Sequence, residues 1–153
     1  MVYNGASLLE TTIKSVLGQT FKSIEYIIID GASTDGTLAI IDNYKTQIQK
    51  TISEKDNGIY DAMNKGLQVA TGDYVLFLNA GDMFYSNGTL NEIFSKNNDA
   101  DVLYGNTMVI DEKGNELGDR RLNPPEKLTW ESLKYGMCVS HQSFIAKRTL
   151  CEP

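Results

Sequence analysis

The order of its apolar runs predicts an α/β chain with a mostly parallel sheet and helices on its faces. The first observation is the run Ile24-Glu-Tyr-Ile-Ile-Ile-Asp30, which stops at Asp30 and opens into Gly-Ala-Ser-Thr-Asp-Gly-Thr37. That is a strand tip carrying a small, hydroxyl-rich, acidic loop. The second is Tyr74-Val-Leu-Phe-Leu78, which runs into Asn79-Ala-Gly-Asp82 in the same design. The third is the helical spacing of the segments before, between and after these runs. In an open α/β sheet, ligands bind beyond the carboxyl ends of the strands, so two tips that each end in Asp predict a site.

The elements follow in order. Ser7-x-x-Glu10 has capping-box spacing, and Leu9, Ile13, Val16 and Leu17 recur at helical period up to Gly18, so a helix is expected over about 7–18. The strand at 24–29 follows. A helix is then expected over 36–48, with Leu38, Ile41, Tyr44 and Ile48 on one face and Thr34 or Asp35 as its cap. A short strand at 50–53 leads to a further helix marked by Ile59, Met63, Leu67 and Ala70 and closed by Thr71-Gly72. The strand at 74–78 comes next. Beyond Asp82 the pattern predicts a helix at 88–96, one strand over 101–110, a turn at 111–114, a break at Pro124-Pro125, a short helix at Trp130 and a last strand at 142–146.

The 153 residues, 41% hydrophobic and 22% charged, fit one domain with a real core. A formal charge of -6 argues against a nucleic-acid groove or a polybasic membrane patch. An anionic substrate therefore needs local help from a metal or helix N-termini. Cys138 and Cys151 lack metal-ligand spacing and are expected as reduced thiols of a cytoplasmic protein. No apolar run approaches the roughly 18 to 20 residues of a membrane span, so any membrane association is expected to be peripheral, at the inner face. Only Val2 and Tyr3 precede the first loop, and no helix follows the last apolar run, so a fragment of a longer domain is expected, with unpaired backbone and a gap in the core where the first strand is short.

Asp30, Ser33 and Asp35 are short polar side chains suited to a base or ribose hydroxyl, or to holding their own loop; Asp35 equally suits a helix cap. Asp82 suits a hard divalent cation bridging a diphosphate, or a turn. Asp61 and Asn64 share one helix face. The chain has no Gly-x-Gly-x-x-Gly after a strand, no Gly-Lys-Ser/Thr loop and no Gly-x-Ser-x-Gly elbow, so dinucleotide, P-loop and serine-hydrolase readings lapse. Ser33-Thr-Asp35-Gly-Thr37 faintly resembles a haloacid-dehalogenase-type loop, but Ser33 stands where the nucleophilic Asp belongs.

Six ordered motifs carry a more specific resemblance. Val2-Tyr3-Asn4-Gly5, Ser15-Val-Leu-Gly-Gln19-Thr20-Phe21, Ile29-Asp30-Gly-Ala-Ser33-Thr-Asp35-Gly-Thr37, Ser53-Glu54-Lys-Asp56-Asn-Gly58-Ile-Tyr60-Asp61-Ala-Met-Asn64-Lys65-Gly66, Ala70-Thr-Gly72-Asp73 and Phe77-Leu-Asn79-Ala-Gly-Asp82 resemble the family 2 glycosyltransferases, closely over about 1–85 and more loosely on to His141-Gln142-Ser-Phe144. The resemblance implies one domain over 1–153 of GT-A fold, with a Rossmann-like sheet, a nucleotide-sugar-binding half over about 1–85 and the start of an acceptor half over about 86–153. It implies transfer, with inversion, from a nucleoside-diphosphate sugar, commonly UDP-linked, to a glycan or lipid-linked acceptor, aided by Mg²⁺ or Mn²⁺. Tyr3 and Asn4 would border the nucleotide, Asp30 and Ser33 its base and ribose, and Asp61 and Asn64 the same pocket, while Asp82 would bind the metal. His141 and Gln142 would lie on the acceptor side, although a hydrogen-bonded structural His141 fits equally. Two departures stand out: Gly31 replaces the second Asp of the Asp-Asp-Gly-Ser pattern, and Gly81-Asp82 replaces a paired Asp-Asp. No catalytic base is assigned, because the family's usually lies beyond this chain's last residue.

Overall fold

The computed structural model describes residues 1–96, 99–111, 113–121, 124–134, 136 and 138–151. Helix α1 (Ala6–Leu17) buries Leu9, Thr12, Ile13 and Val16, an i, i+3, i+4, i+7 stripe. The expected capping box does not form. The helix starts at Ala6, which puts Ser7 inside the first turn, and Glu10 is drawn to Lys14 at 3.0 Å and to the Tyr44 hydroxyl at 2.8 Å. Strand β1 (Ile27–Asp30) begins later than the apolar run that contains it. Helix α2 (Thr37–Asn43) is shorter than its hydrophobic face, since turns at Tyr44 to Ile48 still bring Ile48 into the core. Strand β2 (Lys50–Ser53) and helix α3 (Ile59–Val69) follow as expected.

The parallel part of the sheet is β2, β1 and the residue Val2. Strand β1 pairs with β2 in the register Ile27 to Lys50 through Asp30 to Ser53, and Val2 bridges in parallel to Asp30 on the other edge. Strand β3 (Tyr74–Val75) is only the start of its apolar run, and it pairs antiparallel with β7 (Phe144–Lys147), which in turn pairs antiparallel with β4 (Val102–Tyr104). Helix α4 (Thr89–Lys96) packs below, with Leu90 in the core.

The single strand expected over 101–110 is two. Gly105 leaves the sheet, its N–H going to Ser143 O at 3.0 Å, and β5 (Met108–Ile110) forms a hairpin with β6 (Glu116–Asp119) instead. Strand β6 has no signal in the apolar pattern, because its faces are mostly exposed and Gly118 sits at φ +124°. The expected turn over 111–114 is built around Asp111, whose Oδ1 accepts the N–H groups of Lys113 and Asn115; Glu112 lies outside the described residues.

Met1 and Val2 join the two halves. Val2 N donates to Ile29 O and Val2 O accepts Gly31 N, both at 2.9 Å, while the Met1 amine donates to Leu78 O at 2.6 Å and Met1 O accepts Ala80 N at 3.0 Å. Alternate residues of one strand thus bond alternate neighbours, as a central parallel strand does. One core cluster holds Val2, Leu9, Ile13, Ile28, Ile41 and Ile48; a second holds Leu90, Leu103 and Ile145, closed by Phe94 stacked on Phe21 at 5.1 Å. Each such buried aliphatic side chain contributes about 1.5 to 3 kcal/mol.

Candidate functional site

The tip of β1 is a closed hydrogen-bonded cluster. Asp30 is fully buried; its Oδ2 accepts the Ser53 hydroxyl at 2.6 Å and the Ser33 N–H at 3.1 Å, and its Oδ1 accepts the Ser33 hydroxyl at 2.5 Å. Three donors satisfy a carboxylate whose burial unpaired would be costly. The Asp30 side chain therefore holds the loop, the second of the two roles its sequence context allows. Ser33 then accepts the Asn4 N–H at 2.8 Å.

The same loop anchors the first helix. Asn4 takes the left-handed conformation at φ +48°, and its Oδ1 accepts Thr34 N at 2.8 Å. Asp35 is the tie between two helix starts: Oδ1 accepts Thr37 N at 2.9 Å and the Thr37 hydroxyl, and Oδ2 accepts Ala6 N at 3.1 Å. Bonding to the Thr37 hydroxyl, together with these N–H groups, holds the Asp35 carboxyl below its usual range. Asp35 serves as an anchor for the α2 start, although Gly36 is the formal cap residue. Tyr3 stands free of this network, 66% exposed at the mouth of the tip.

The loop from β2 to α3 closes over Gly31. A Cβ on residue 31 would come within 2.7 Å of Asp56 Oδ2 and 3.4 Å of the Tyr3 Cβ, so the room left by the missing side chain is filled by the Asp56 carboxylate. Asp56 Oδ1 accepts Gly58 N at 3.0 Å; among the described residues no hydrogen bond reaches Oδ2. Asp56 stood inside a quoted motif without a role. Asp56 and Gly31, 25 residues apart in sequence, are brought together only by folding. Asp61, by contrast, accepts Asn57 N at 2.9 Å and lies 3.6 Å from Lys65, so it braces the start of α3; Asn64 is exposed on the same helix.

The second tip is a tight turn. Asp82 N donates to Asn79 O at 3.0 Å and Asp82 Oδ2 accepts Asn79 N at 2.8 Å, with Gly81 at φ +100°, a conformation glycine adopts without strain. The turn is docked on α1 through the Thr12 hydroxyl, which accepts Gly81 N at 2.9 Å. Among the described residues Asp82 Oδ1 meets only the long 3.4 Å approach of Gln142 Nε2, so it keeps acceptor capacity. Asn79 Nδ2 and His141 Nε2 are 2.9 Å apart; with the amide donating, the imidazole accepts through Nε2. Folding thus brings Asp82, His141 and Gln142 together across about 60 residues of sequence. Asp30, Ser33 and Asn4 form the other cluster, separated from this one by Met1 and Val2.

No group of three or more His, Cys, Asp or Glu side chains converges among the described residues. One carboxylate whose second oxygen carries only a long hydrogen bond among the described residues still fits a small hard cation that takes its remaining ligands from phosphate and water. No helix among the described residues is long and apolar enough to cross a membrane.

Comparison with known proteins agrees with this geometry. Residues 1–152 match the family described as Glycosyl transferase family 2. A PGL/p-HBAD biosynthesis glycosyltransferase of Mycobacterium bovis is 33% identical over 112 residues, which cover 69% of this chain and 44% of that protein. An uncharacterised glycosyltransferase of Rickettsia conorii is 32% identical over 141 residues, covering 89% of this chain and 23% of its own length. The chain therefore spans less than half the length of these curated relatives. Among solved structures, a mannosyltransferase from Pyrobaculum calidifontis in complex with GDP-Man and Mn²⁺ superimposes with a TM-score of 0.61 at 25% identity, over 72% of this chain and 34% of that one. S. aureus TarS in complex with UDP-GlcNAc gives 0.58 at 25% identity, over 67% and 31%. With two polar loops at the tips of neighbouring parallel segments, a GT-A neighbourhood and a match along nearly its whole length, the chain belongs to glycosyl transferase family 2.

Proposed function

We propose that this chain forms the donor half of an inverting glycosyltransferase that takes a UDP-linked sugar and delivers it to a glycan or lipid-linked acceptor. The observation that carries the reading is the pairing of the two tips: a polar loop at Asn4, Gly31, Ser33 and Asp56, and a carboxylate oxygen of Asp82 with spare acceptor capacity near Gln142. In this reading the base lies beside the Asp56 carboxylate that covers Gly31, bordered by the exposed Tyr3, and Asp56 Oδ2 accepts the uracil N3–H. Asn4 and Ser33 hold the wall of that pocket, with Asp61 and Asn64 along the helix that faces it.

A divalent cation, Mg²⁺ or Mn²⁺, would be held by Asp82 and would neutralise the diphosphate against the chain's -6 background. In transfer, an acceptor hydroxyl oxygen bonds to the anomeric carbon as the bond to the diphosphate oxygen breaks, and the nucleoside diphosphate leaves. The acceptor proton goes to a general base that is not assigned among the described residues. In this reading His141 and Gln142, bonded to Asn79 and Asp82, lie on the acceptor side.

A displacement series with UDP, GDP, CDP and dTDP, each with Mn²⁺, tests the reading. UDP binding most tightly supports it; a preference for the purine nucleotide, or no saturable binding, overturns it.

A further inference from the structure

The loop between β2 and α3, Glu54-Lys-Asp-Asn-Gly58, has no apolar side chain with which to pack against the sheet. Apart from the half-buried Asp56 it is exposed, and Gly58 stands at φ +110° with open space around its Cα. A segment with so few buried contacts opens at little cost. Yet the carboxylate it carries sits tightly over Gly31, with Asp56 Oδ2 within 2.7 Å of where a Cβ on residue 31 would stand. That placement needs a restraint from outside the loop.

Lys65 supplies it. The residue stands in the second turn of α3, and helical side chains tilt toward the N-terminus, so its ammonium reaches back past the first turn to the loop. Lys65 Nζ donates to Lys55 O at 2.8 Å and lies 3.0 Å from Glu54 Oε1 and 3.6 Å from Asp61 Oδ2, with the side chain 18% exposed. Asp61 Oδ2 in turn accepts Asn57 N at 2.9 Å. The ammonium thus holds the first half of the loop directly and the second half through Asp61. Both anchors are fixed to β1: Glu54 N donates to Asp30 O at 3.0 Å, and a Cβ on Gly66, the residue after Lys65, would lie 3.5 Å from Ile29 Cγ1. Charge follows the same division. Glu54, Asp56 and Asp61 are three carboxylates within eight residues; Lys65 engages the first and the last, and among the described residues no cation bridges Asp56. Its Oδ2 keeps its lone pairs for a donor on a ligand.

We infer that Lys65 is a positioning residue for nucleotide recognition: without touching the nucleotide, it sets affinity for the base by clasping residues 54–58 over Gly31. The inference rests on the donor reading, in which Asp56 Oδ2 accepts from the base. An ordinary exposed ion pair contributes little, but an ammonium that is mostly covered and shared by three acceptors holds a loop that has no other packing. Its effect falls on the Asp56 contact and not on the diphosphate at the second tip.

Lys65→Met, which keeps the apolar stem and removes the charge, and Lys65→Arg, which keeps the charge, test it in the parent chain and in an Asp56→Asn background. UDP affinity in the presence of Mn²⁺ is expected to fall by about tenfold in Lys65→Met and to recover most of that in Lys65→Arg. In the Asp56→Asn background Lys65→Met is expected to cost nothing further, because the contact it positions is already gone. The factor by which Mn²⁺ tightens UDP binding stays the same in every form. Without any ligand, hydrogen exchange at the Asn57 and Gly58 amides is expected to quicken by about tenfold in Lys65→Met. Unchanged exchange at these amides overturns the inference, and so does an equal loss of UDP affinity in both backgrounds. A parent chain that binds no UDP sinks the donor reading and the recognition role with it, whereas a parent that binds UDP and is indifferent to Lys65→Met sinks the clasp alone.

Discussion

The Ser53 hydroxyl donates to Asp30 Oδ2 at 2.6 Å, tying the carboxyl ends of two neighbouring parallel strands through a side chain that water does not reach. With Ser33 bonded to the same carboxylate, Asp30 sets the shape of the loop on which any base-binding pocket rests. Replacing it by Ala leaves the hydroxyl and N–H of the buried Ser33 without their acceptor and releases the exposed Ser53 hydroxyl. Asp30→Ala is therefore expected to lower unfolding stability by about 1 to 3 kcal/mol, with nucleotide affinity falling as a consequence of the lost loop. Denaturant titration measures this; an unchanged midpoint together with weakened binding would return Asp30 to direct contact with the ligand.

Asp56 carries the opposite expectation. In Asp56→Asn an oxygen still accepts Gly58 N, so the loop keeps its shape and stability changes little. The amide nitrogen then meets the base where Oδ2 stood, donor against donor. Loss of a hydrogen bond to a charged acceptor costs about 1.5 to 3 kcal/mol, or roughly 10- to 150-fold in UDP affinity. A variant that binds UDP as tightly as the parent removes Asp56 from the pocket.

The Met1 amine gives a pH dependence in the 153-residue chain taken alone. Burial pushes its pKa down from 8.0 to about 6, although the Asp82 charge pulls the other way. The unfolded chain holds this proton up to about pH 8 and the folded chain only up to about pH 6, so the unfolded state binds more protons between them. Stability should rise as pH goes from 6 to 8, by an amount on the order of 2 kcal/mol. Unfolding midpoints at pH 6, 7 and 8, with and without acetylation of the amine, measure it. A slope that survives acetylation assigns the effect elsewhere.

Local patterning carried the first half of the fold well. The i, i+3, i+4 stripe of α1 and the β-branched run of β1 each mark one face or one buried strand, and both formed. The second half was less legible because its strands are short, antiparallel and half-exposed: Gly105 splits what reads as one run, and Glu116–Asp119 has no apolar alternation at all. At the site, residue types were readable but partners were not. Asp30 and Ser33 reveal themselves as bonded to each other, with Ser53 as a third member, only once two strands are side by side. Asp82, His141 and Asn79 are likewise joined across 62 residues by folding alone.

The central claim is that Asp82 shares a nucleotide diphosphate with a divalent cation, and titration calorimetry of UDP tests it most directly. The measurement compares Mn²⁺ with chelator, in the parent chain and in Asp82→Asn, where the Asn79 N–H can still be accepted by a side-chain oxygen. The account predicts saturable UDP binding that tightens with Mn²⁺ in the parent and no longer responds to Mn²⁺ in the variant. Equal UDP affinity with metal and with chelator in the parent chain would contradict it.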